Sequence, residues 1–189
     1  MMNKERILLE LKPIIRREPI MPGGTWTKIA AVLLVIHFNT GIPQILLTKR
    51  SSNLRIHTGE VSFPGGKYSR DDVFLHNTAI RETKEETGLL FEQKDIVGSL
   101  SLVRTLGSTY VIYPFITVQK RIPEPKIFVD EVEKILDIPL IDMLGTMSID
   151  RNHYHLSTKV SYKFRYQNEI IWGATARILK QLYNCLYKS

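Results

Sequence analysis

The sequence predicts a mixed α/β (α+β) domain, with an acidic helix packed on a mainly antiparallel or mixed sheet. Three observations carry this expectation. Paired β-like runs stand on either side of a helical segment at about residues 73–87. A glycine turn lies upstream of that segment. A stripe of apolar residues at helical spacing closes the chain over residues 173–187. There is no internal repeat, low-complexity tract or clear linker, and 189 residues suit one domain with a small elaboration. The expected division is an N-terminal helical extension over residues 1–22 and a main domain over residues 23–189.

The elements follow in chain order. Ile7, Leu8, Leu11 and Ile15 form an apolar stripe at helical spacing, interrupted or kinked at Pro13. Glu5, Glu10 and Glu18 argue against a transit peptide. The prolines and glycines of Pro19, Pro22, Gly23 and Gly24 then break the chain. Thr27–Phe38 and Pro43–Arg50 are rich in Val, Ile and Leu and flank Asn39-Thr40-Gly41, which predicts a hairpin. Asp72 is positioned to cap the helix that ends at Gly88. Ile96–Thr105 and Tyr110–Gln119 form a second expected pair around Gly107-Ser108. Pro114 marks the latter as an edge strand or a bulged one. Glu131–Leu136 is ambiguous, Ile141–Met147 reads as a short helix, and Arg151–Ser157 with Val160–Tyr166 alternates like a hairpin. Ile178, Leu179, Leu182 and Leu186 mark the final helix.

Composition narrows the setting. Lys and Arg number 26 against 19 Asp and Glu, a net charge of +7, which favours anionic partners without choosing among nucleic acid, lipid and small phosphate esters. No block of five like charges occurs. The longest apolar stretch, Ile29 to Phe38, is half of the roughly 20 residues a membrane-spanning helix needs. Cys185 is the only cysteine, so no intramolecular disulfide forms, and a reduced, cytoplasmic setting is expected.

The chemistry concentrates in Gly65-Gly66 and Arg81-Glu82-Thr83-Lys84-Glu85-Glu86-Thr87-Gly88. On a helix, Glu82, Glu85 and Glu86 share one face, where each like-charge pair costs roughly 0.2–0.5 kcal/mol. A hard divalent cation turns that cost into a binding site, and carboxylate oxygens suit Mg²⁺ or Mn²⁺. Arg81 stands four residues before Glu85 and can fix its rotamer. A solvated face neutralised by Arg81 and Lys84 is the alternative for this motif alone. The glycine turn changes the balance, because glycine allows close approach of backbone to a ligand and its carbonyl can face a metal.

On these residues the sequence resembles the Nudix hydrolases. Arg81-Glu82, Glu85-Glu86, Gly88 and Leu89 match the family signature, while Thr83 stands at its aliphatic position. Gly66 and Asp72 lie one residue early, so the loop is one residue longer and Asp72 substitutes for the early glutamate. Leu46-Leu47-Thr48-Lys49-Arg50-Ser51, Arg55, Gly59 and Phe63-Pro64-Gly65-Gly66 are similar to the motif preceding the signature in coenzyme A pyrophosphatases. Asp130-Glu131-Val132, Pro139-Leu140 and Ile171-Trp172-Gly173-Ala174-Thr175-Ala176-Arg177 resemble downstream landmarks of that subgroup.

The resemblance implies an α/β/α sandwich with a mixed sheet and an acidic loop-helix-loop. It implies hydrolysis of a nucleoside diphosphate derivative with Mg²⁺ or Mn²⁺, most similarly to coenzyme A pyrophosphatases, giving 3′,5′-ADP and 4′-phosphopantetheine. Glu82, Glu85 and Glu86, with the carbonyl of Gly66, are the expected metal ligands, and Arg81 orients the carboxylates. The general base is a helix glutamate or a loop carboxylate such as Glu131, whose alternative is an ordinary exposed acid. Arg50 and Arg55, beside Gly65 and Gly66, are candidates for substrate phosphate, or else surface arginines or partners of Glu60. His57 reads as a loop histidine, and His153 with His155 is a weak zinc signal. Trp172 reads as core. Tyr110 and Tyr113 are candidates for stacking adenine, although sheet packing is the commoner explanation.

ADP-ribose or a nucleoside di- or triphosphate is the alternative substrate, and a nucleic-acid-binding module reusing the fold is the alternative class. A small nucleotide diphosphate, not nucleic acid or membrane, is the expected partner, with a homodimer suggested by the resemblance.

Overall fold

The apolar run that is too short for a membrane becomes the axis of the sheet. The computed structural model of the protein describes residues 2–12, 28–52, 59–105, 109–128, 130–151 and 160–187. Lys28–His37 is β1 and Tyr110–Gln119 is β7, paired in parallel over their whole length from Lys28 opposite Tyr110 to His37 opposite Gln119. Such a pair, buried on both faces, accounts for an almost unbroken Val/Ile/Leu sequence in place of alternation.

Around this pair the sheet is mixed. Gln44–Arg50 (β2) returns antiparallel to β1 through the expected turn, with Ile36 opposite Ile45. Val61–Ser62 (β3) and Val132–Pro139 (β8) pair with β2, so the ambiguous segment after Glu131 is a strand. Gly65–Lys67 (β4) joins β1, and Ile96–Ser99 (β5) and Val103–Arg104 (β6) join β7. At the far end of β1, Nε2 of the fully buried His37 lies 2.8 Å from Oδ1 of Asp137 and ties β1 to β8.

Pro114 does not mark an edge. It sits inside β7, opposite Val32 of β1. On its other side the neighbouring pairing stops at Ser99 opposite Phe115 and resumes at Val103 opposite Ile112. The missing N–H falls in that gap, where Leu100 N–H still donates to the Pro114 carbonyl at 2.9 Å.

Helices cover both faces. Leu75–Thr87 (α2) packs Leu75 and Ala79 with Ala31, Leu33, Val35 and Phe115. On the other face lie Lys4–Leu11 (α1), Leu140–Gly145 (α3) and Gly173–Tyr187 (α4), packed on Leu34, Ile36, Ile45 and Leu47. Alternate residues of β1 therefore serve opposite layers, and the result is the expected α/β/α sandwich. No helix among the described residues is long and apolar enough to cross a membrane.

Two local expectations change. The helix starts at Leu75 with no side-chain cap; Asp72 instead ends a 3₁₀ turn over Arg70–Asp72, and its carboxylate is used elsewhere. Val160–Tyr166 becomes the strand Tyr162–Tyr166 (β10), paired with Ser148–Ile149 (β9) and Glu169–Ile171 (β11) in a separate small sheet. Gly88 ends α2 as expected, in the left-handed conformation with φ 70°, and its N–H donates to the Lys84 carbonyl. The proposed boundary at residues 22 and 23, the Pro13 kink, the Gly107-Ser108 turn, Arg55, His57, His153 and His155 lie outside the described residues.

Ile7 and Leu11 are both fully buried in the cluster formed with α4, so the N-terminal helix shares the main core. Leu11→Ala is therefore expected to destabilise the protein by roughly 2–5 kcal/mol, measured by urea unfolding. An unchanged midpoint would show that α1 is dispensable to the core.

Candidate active site

The acidic helix is fixed by the side it buries. Thr78, Ala79, Thr83 and Thr87 face the sheet. Thr83, at the motif's aliphatic position, is fully buried and donates to the Ala79 carbonyl at 2.7 Å, and Thr87 repeats the arrangement on Thr83 at 2.6 Å. Each hydroxyl is satisfied within its own helix, so a polar residue is accommodated at a core position without leaving an orphaned donor. Beyond the helix end, Lys126 N–H donates to the Thr87 carbonyl.

Asp72 and Arg81 organise the rest. Arg81 donates from Nε to Oδ1 of Asp72 at 2.8 Å and from Nη2 to Oδ2 at 3.0 Å, a two-point contact between a planar guanidinium and a carboxylate. Thr78 donates to Oδ2 at 2.8 Å and Ser69 N–H at 3.2 Å. The hydrogen bond from Arg81 leads the causes that lower the Asp72 carboxyl to about 2, with help from Thr78 and Ser69. The same contact raises Arg81. Nη1 of Arg81 then reaches Glu82 Oε1 at 2.9 Å and Glu85 Oε2 at 3.1 Å. The expected orienting role of Arg81 thus has a geometric basis. Its anchor, Asp72, was legible as a cap and as the substitute for the signature's early glutamate but not as the partner of Arg81, because a contact across a non-helical loop has no fixed spacing.

The glycine turn closes on the helix from the other side. Gly65 has φ 150°, and a Cβ there would strike the Ala31 carbonyl and Val32. A Cβ on Gly66 would overlap the carboxylate of Glu82. Burial raises Glu82. Glu86 is 7% exposed, and its Oε2 is buried without a hydrogen-bond partner. Burial first, then the charge of Glu82, pushes the Glu86 carboxyl up to about 8, against the opposing effects of Arg50 and a hydrogen bond from the Gly65 backbone. Glu85 is half exposed.

These residues fit a hard divalent cation. The donors are oxygens, one buried carboxylate oxygen has no partner, and a glycine backbone closes on a second carboxylate. Among the described residues no three acidic, histidine or cysteine side chains converge enough to hold an ion alone. Arg81 links Glu82 and Glu85, so the arrangement suits an ion that also takes water and substrate phosphate, as Mg²⁺ commonly does.

Arg50 and Glu131 complete the rim. Ser51 N–H donates to the Glu131 carbonyl at 2.8 Å, and Arg50 Nη2 lies 3.4 Å from Glu131 Oε2. Arg50 Nε is buried without a partner. The Arg50 backbone N–H donates to the Glu60 carbonyl at 3.0 Å. Tyr113 is 1% exposed in the core, as sheet packing requires, and Tyr110 lies under Lys28 Nζ at 5.4 Å from the ring centroid.

The layers, the glycine turn and the acidic helix define a phosphohydrolase-type α/β/α domain, and comparison with known proteins places it in a family. The family described as the NUDIX domain matches residues 27–150. The chain is 35% identical over 156 residues to an uncharacterized Nudix hydrolase, NudL, of Photorhabdus laumondii, covering 81% of this chain and 82% of that one. Its fold is similar to a NUDIX hydrolase from Alicyclobacillus acidocaldarius, with TM-score 0.57 and 20% identity over 84% of this chain and 91% of that one. It is also similar to the NUDIX domain of Shewanella oneidensis NrtR complexed with ADP ribose, with TM-score 0.52 and 20% identity over 62% of this chain and 75% of that one. The chain belongs to the Nudix family, and it is a hydrolase acting on a nucleoside diphosphate derivative.

Two outcomes follow for the metal-free protein. Asp72→Asn is expected to lower stability by roughly 1–3 kcal/mol. The Asp72 contribution is present above its unfolded value of 3.8 and lost as pH falls through about 2, so the gap between wild type and variant narrows over that range in thermal scans. Glu86 has the opposite sign. Its folded value near 8 exceeds the ordinary 4.5, so the fold binds the extra proton and loses stability as pH rises between them. Glu86→Gln with chelator present is expected to match wild type near pH 5 and to melt higher at pH 8, by about 2–4 °C for each kcal/mol recovered. An equal difference at both pH values would contradict the burial of an ionisable Glu86.

Proposed function

We propose that this hydrolase cleaves the diphosphate of coenzyme A or its derivatives, giving 3′,5′-ADP and 4′-phosphopantetheine. The observation that carries the proposal is the meeting of Arg50 and Glu131 of the KRS and DEV segments with the buried Glu86 behind Gly65-Gly66. These segments carry the resemblance to coenzyme A pyrophosphatases.

Glu82, Glu85, Glu86 and the Gly66 carbonyl would hold Mg²⁺ or Mn²⁺, which when bound neutralises diphosphate charge and acidifies water. Arg81, locked on Asp72, keeps Glu82 and Glu85 oriented. Arg50 leaves its long contact with Glu131 for a substrate phosphate, for which a planar guanidinium is suited. Glu131, more than half exposed, then accepts a proton from the attacking water. The new P–O bond forms in line as the bridging P–O bond breaks, and the bridging oxygen leaves with the other phosphate. Arg55 is a second phosphate ligand in this reading. A cytoplasmic homodimer is the corresponding setting.

ADP-ribose is the second reading, favoured by the fold similarity to a domain complexed with ADP ribose. The same carboxylates would serve either substrate, whereas a nucleic-acid-binding module has no use for them.

A panel of coenzyme A, ADP-ribose and nucleoside triphosphates with Mg²⁺ or Mn²⁺, with products identified by phosphorus NMR, separates these readings. Coenzyme A turnover releasing 3′,5′-ADP is expected. ADP-ribose turnover without it would sink the coenzyme A assignment. Glu85→Gln and Glu86→Gln are each expected to lower kcat about 100-fold or more; full activity in both would refute the metal site.

A further inference from the structure

Phe128 is an aromatic side chain held out in water. The residue is 65% exposed. Yet one edge of its ring closes on Gly88 so tightly that a Cβ there would overlap Cε2. Gly88 is therefore needed twice, for the left-handed turn that ends α2 and for the space the ring takes. Lys126 N–H, on the Thr87 carbonyl at 2.9 Å, fastens the same segment to the helix end. Ordering a large apolar side chain costs rotamer freedom, and little hydrophobic gain offsets that cost while most of the ring stays in water. Phe74 and Tyr187, also exposed, differ in stacking on His76 and Tyr183, with ring centroids 5.5 and 4.9 Å apart. Of the two tyrosines expected to be able to receive a base, Tyr113 is buried in the core and Tyr110 lies under Lys28.

The ring stands between two parts of the diphosphate site. Gly88 follows Glu85 by three residues and Glu86 by two, and positions three apart along a helix lie about 5–6 Å from each other. In the other direction Phe128 precedes Glu131 by three residues, a reach of at most about 10 Å. Glu131 is tied to Ser51 and Arg50, and the charges of Arg50 and Glu131 both act on Glu86. Both ends of the segment thus meet the residues that face the diphosphate. A single ribose separates the base of a nucleotide from its diphosphate, so a base is the flat group that comes within range of this ring.

We propose that Phe128 is a specificity-determining residue whose ring, seated on Gly88, stacks on the base of the nucleotide whose diphosphate meets Glu82, Glu85 and Glu86. The inference rests on the substrate being a nucleoside diphosphate derivative and holds for coenzyme A and ADP-ribose alike. Stacking removes the exposed face of the ring from water and needs no hydrogen-bond donor, so every base with a π-face is accepted. The contact that fastens the segment to α2 orders the ring before the nucleotide arrives, which lowers the cost of binding it. A diphosphate without a base makes no use of Phe128.

The test measures binding of two ligands that cannot be hydrolysed at the bridge, α,β-methylene-ADP and methylenediphosphonate, by calorimetry with Mg²⁺. Wild type is expected to bind the nucleotide more tightly. Phe128→Ala is expected to weaken the nucleotide about 5–100-fold and the diphosphonate less than about 2-fold, with little change in Tm because the side chain is exposed. Phe128→Leu is expected to lose nearly as much as Phe128→Ala, since it keeps apolar surface without a planar ring, and Phe128→Trp to match or exceed wild type. Wild-type affinity in Phe128→Leu would show an apolar cover and not a stack, and would overturn the proposal. Parallel losses on both ligands would assign Phe128 to the fold of the segment and overturn it too, with Phe128→Leu giving the same comparison if Phe128→Ala does not fold. Equal binding of the two ligands by wild type would refute the base contact while leaving the diphosphate site intact. Binding of neither would refute both.

Discussion

The rest of the structure depends on one enforced proximity: a glycine turn pressed against carboxylates that cannot all stay ionised without help. Gly66 has no room for a side chain beside Glu82, and Glu86 is buried with an unpartnered oxygen. Burial and neighbouring charge push Glu86 up to about 8. Such an arrangement opposes folding. It persists because the parallel β1–β7 pair fixes the glycine turn, while the threonines of α2 fix the helix against the same layer. The strain is electrostatic, of a kind that a divalent cation would relieve.

The Asp72–Arg81 contact gives this acidic cluster its order. A guanidinium held at two points by a buried carboxylate still has an edge left for Glu82 and Glu85. The net charge of +7 is thus not spread evenly in its effects. Near the helix, positive charge orders carboxylates. At Arg50 it restrains Glu131. A small polyanionic nucleotide suits both arrangements better than a featureless basic surface would.

The layers and the acidic helix were legible in the sequence because their signals are periodic. Apolar runs, the glutamate spacing and Gly88 gave β1, β2, α2 and α4 almost to their ends. Signals that depend on neighbouring chain were not legible. Pro114 looked like an edge or bulge residue because a proline lacks a donor; β7 is paired on both sides, its pairing with β5 shifts register, and the break between β5 and β6 shows where the donor is not needed. Asp72 read as a cap and as the substitute for the early signature glutamate, but neither reading named its partner, which lies nine residues on.

Direct binding of Mn²⁺, followed by electron paramagnetic resonance in the absence of substrate, tests the central claim most plainly. If the glycine turn and α2 form a cation site, wild type takes up Mn²⁺ above pH 8, and Glu86→Gln and Glu82→Gln both lose most of that affinity while keeping the fold. Uptake of Mn²⁺ by both variants with wild-type affinity would contradict the account.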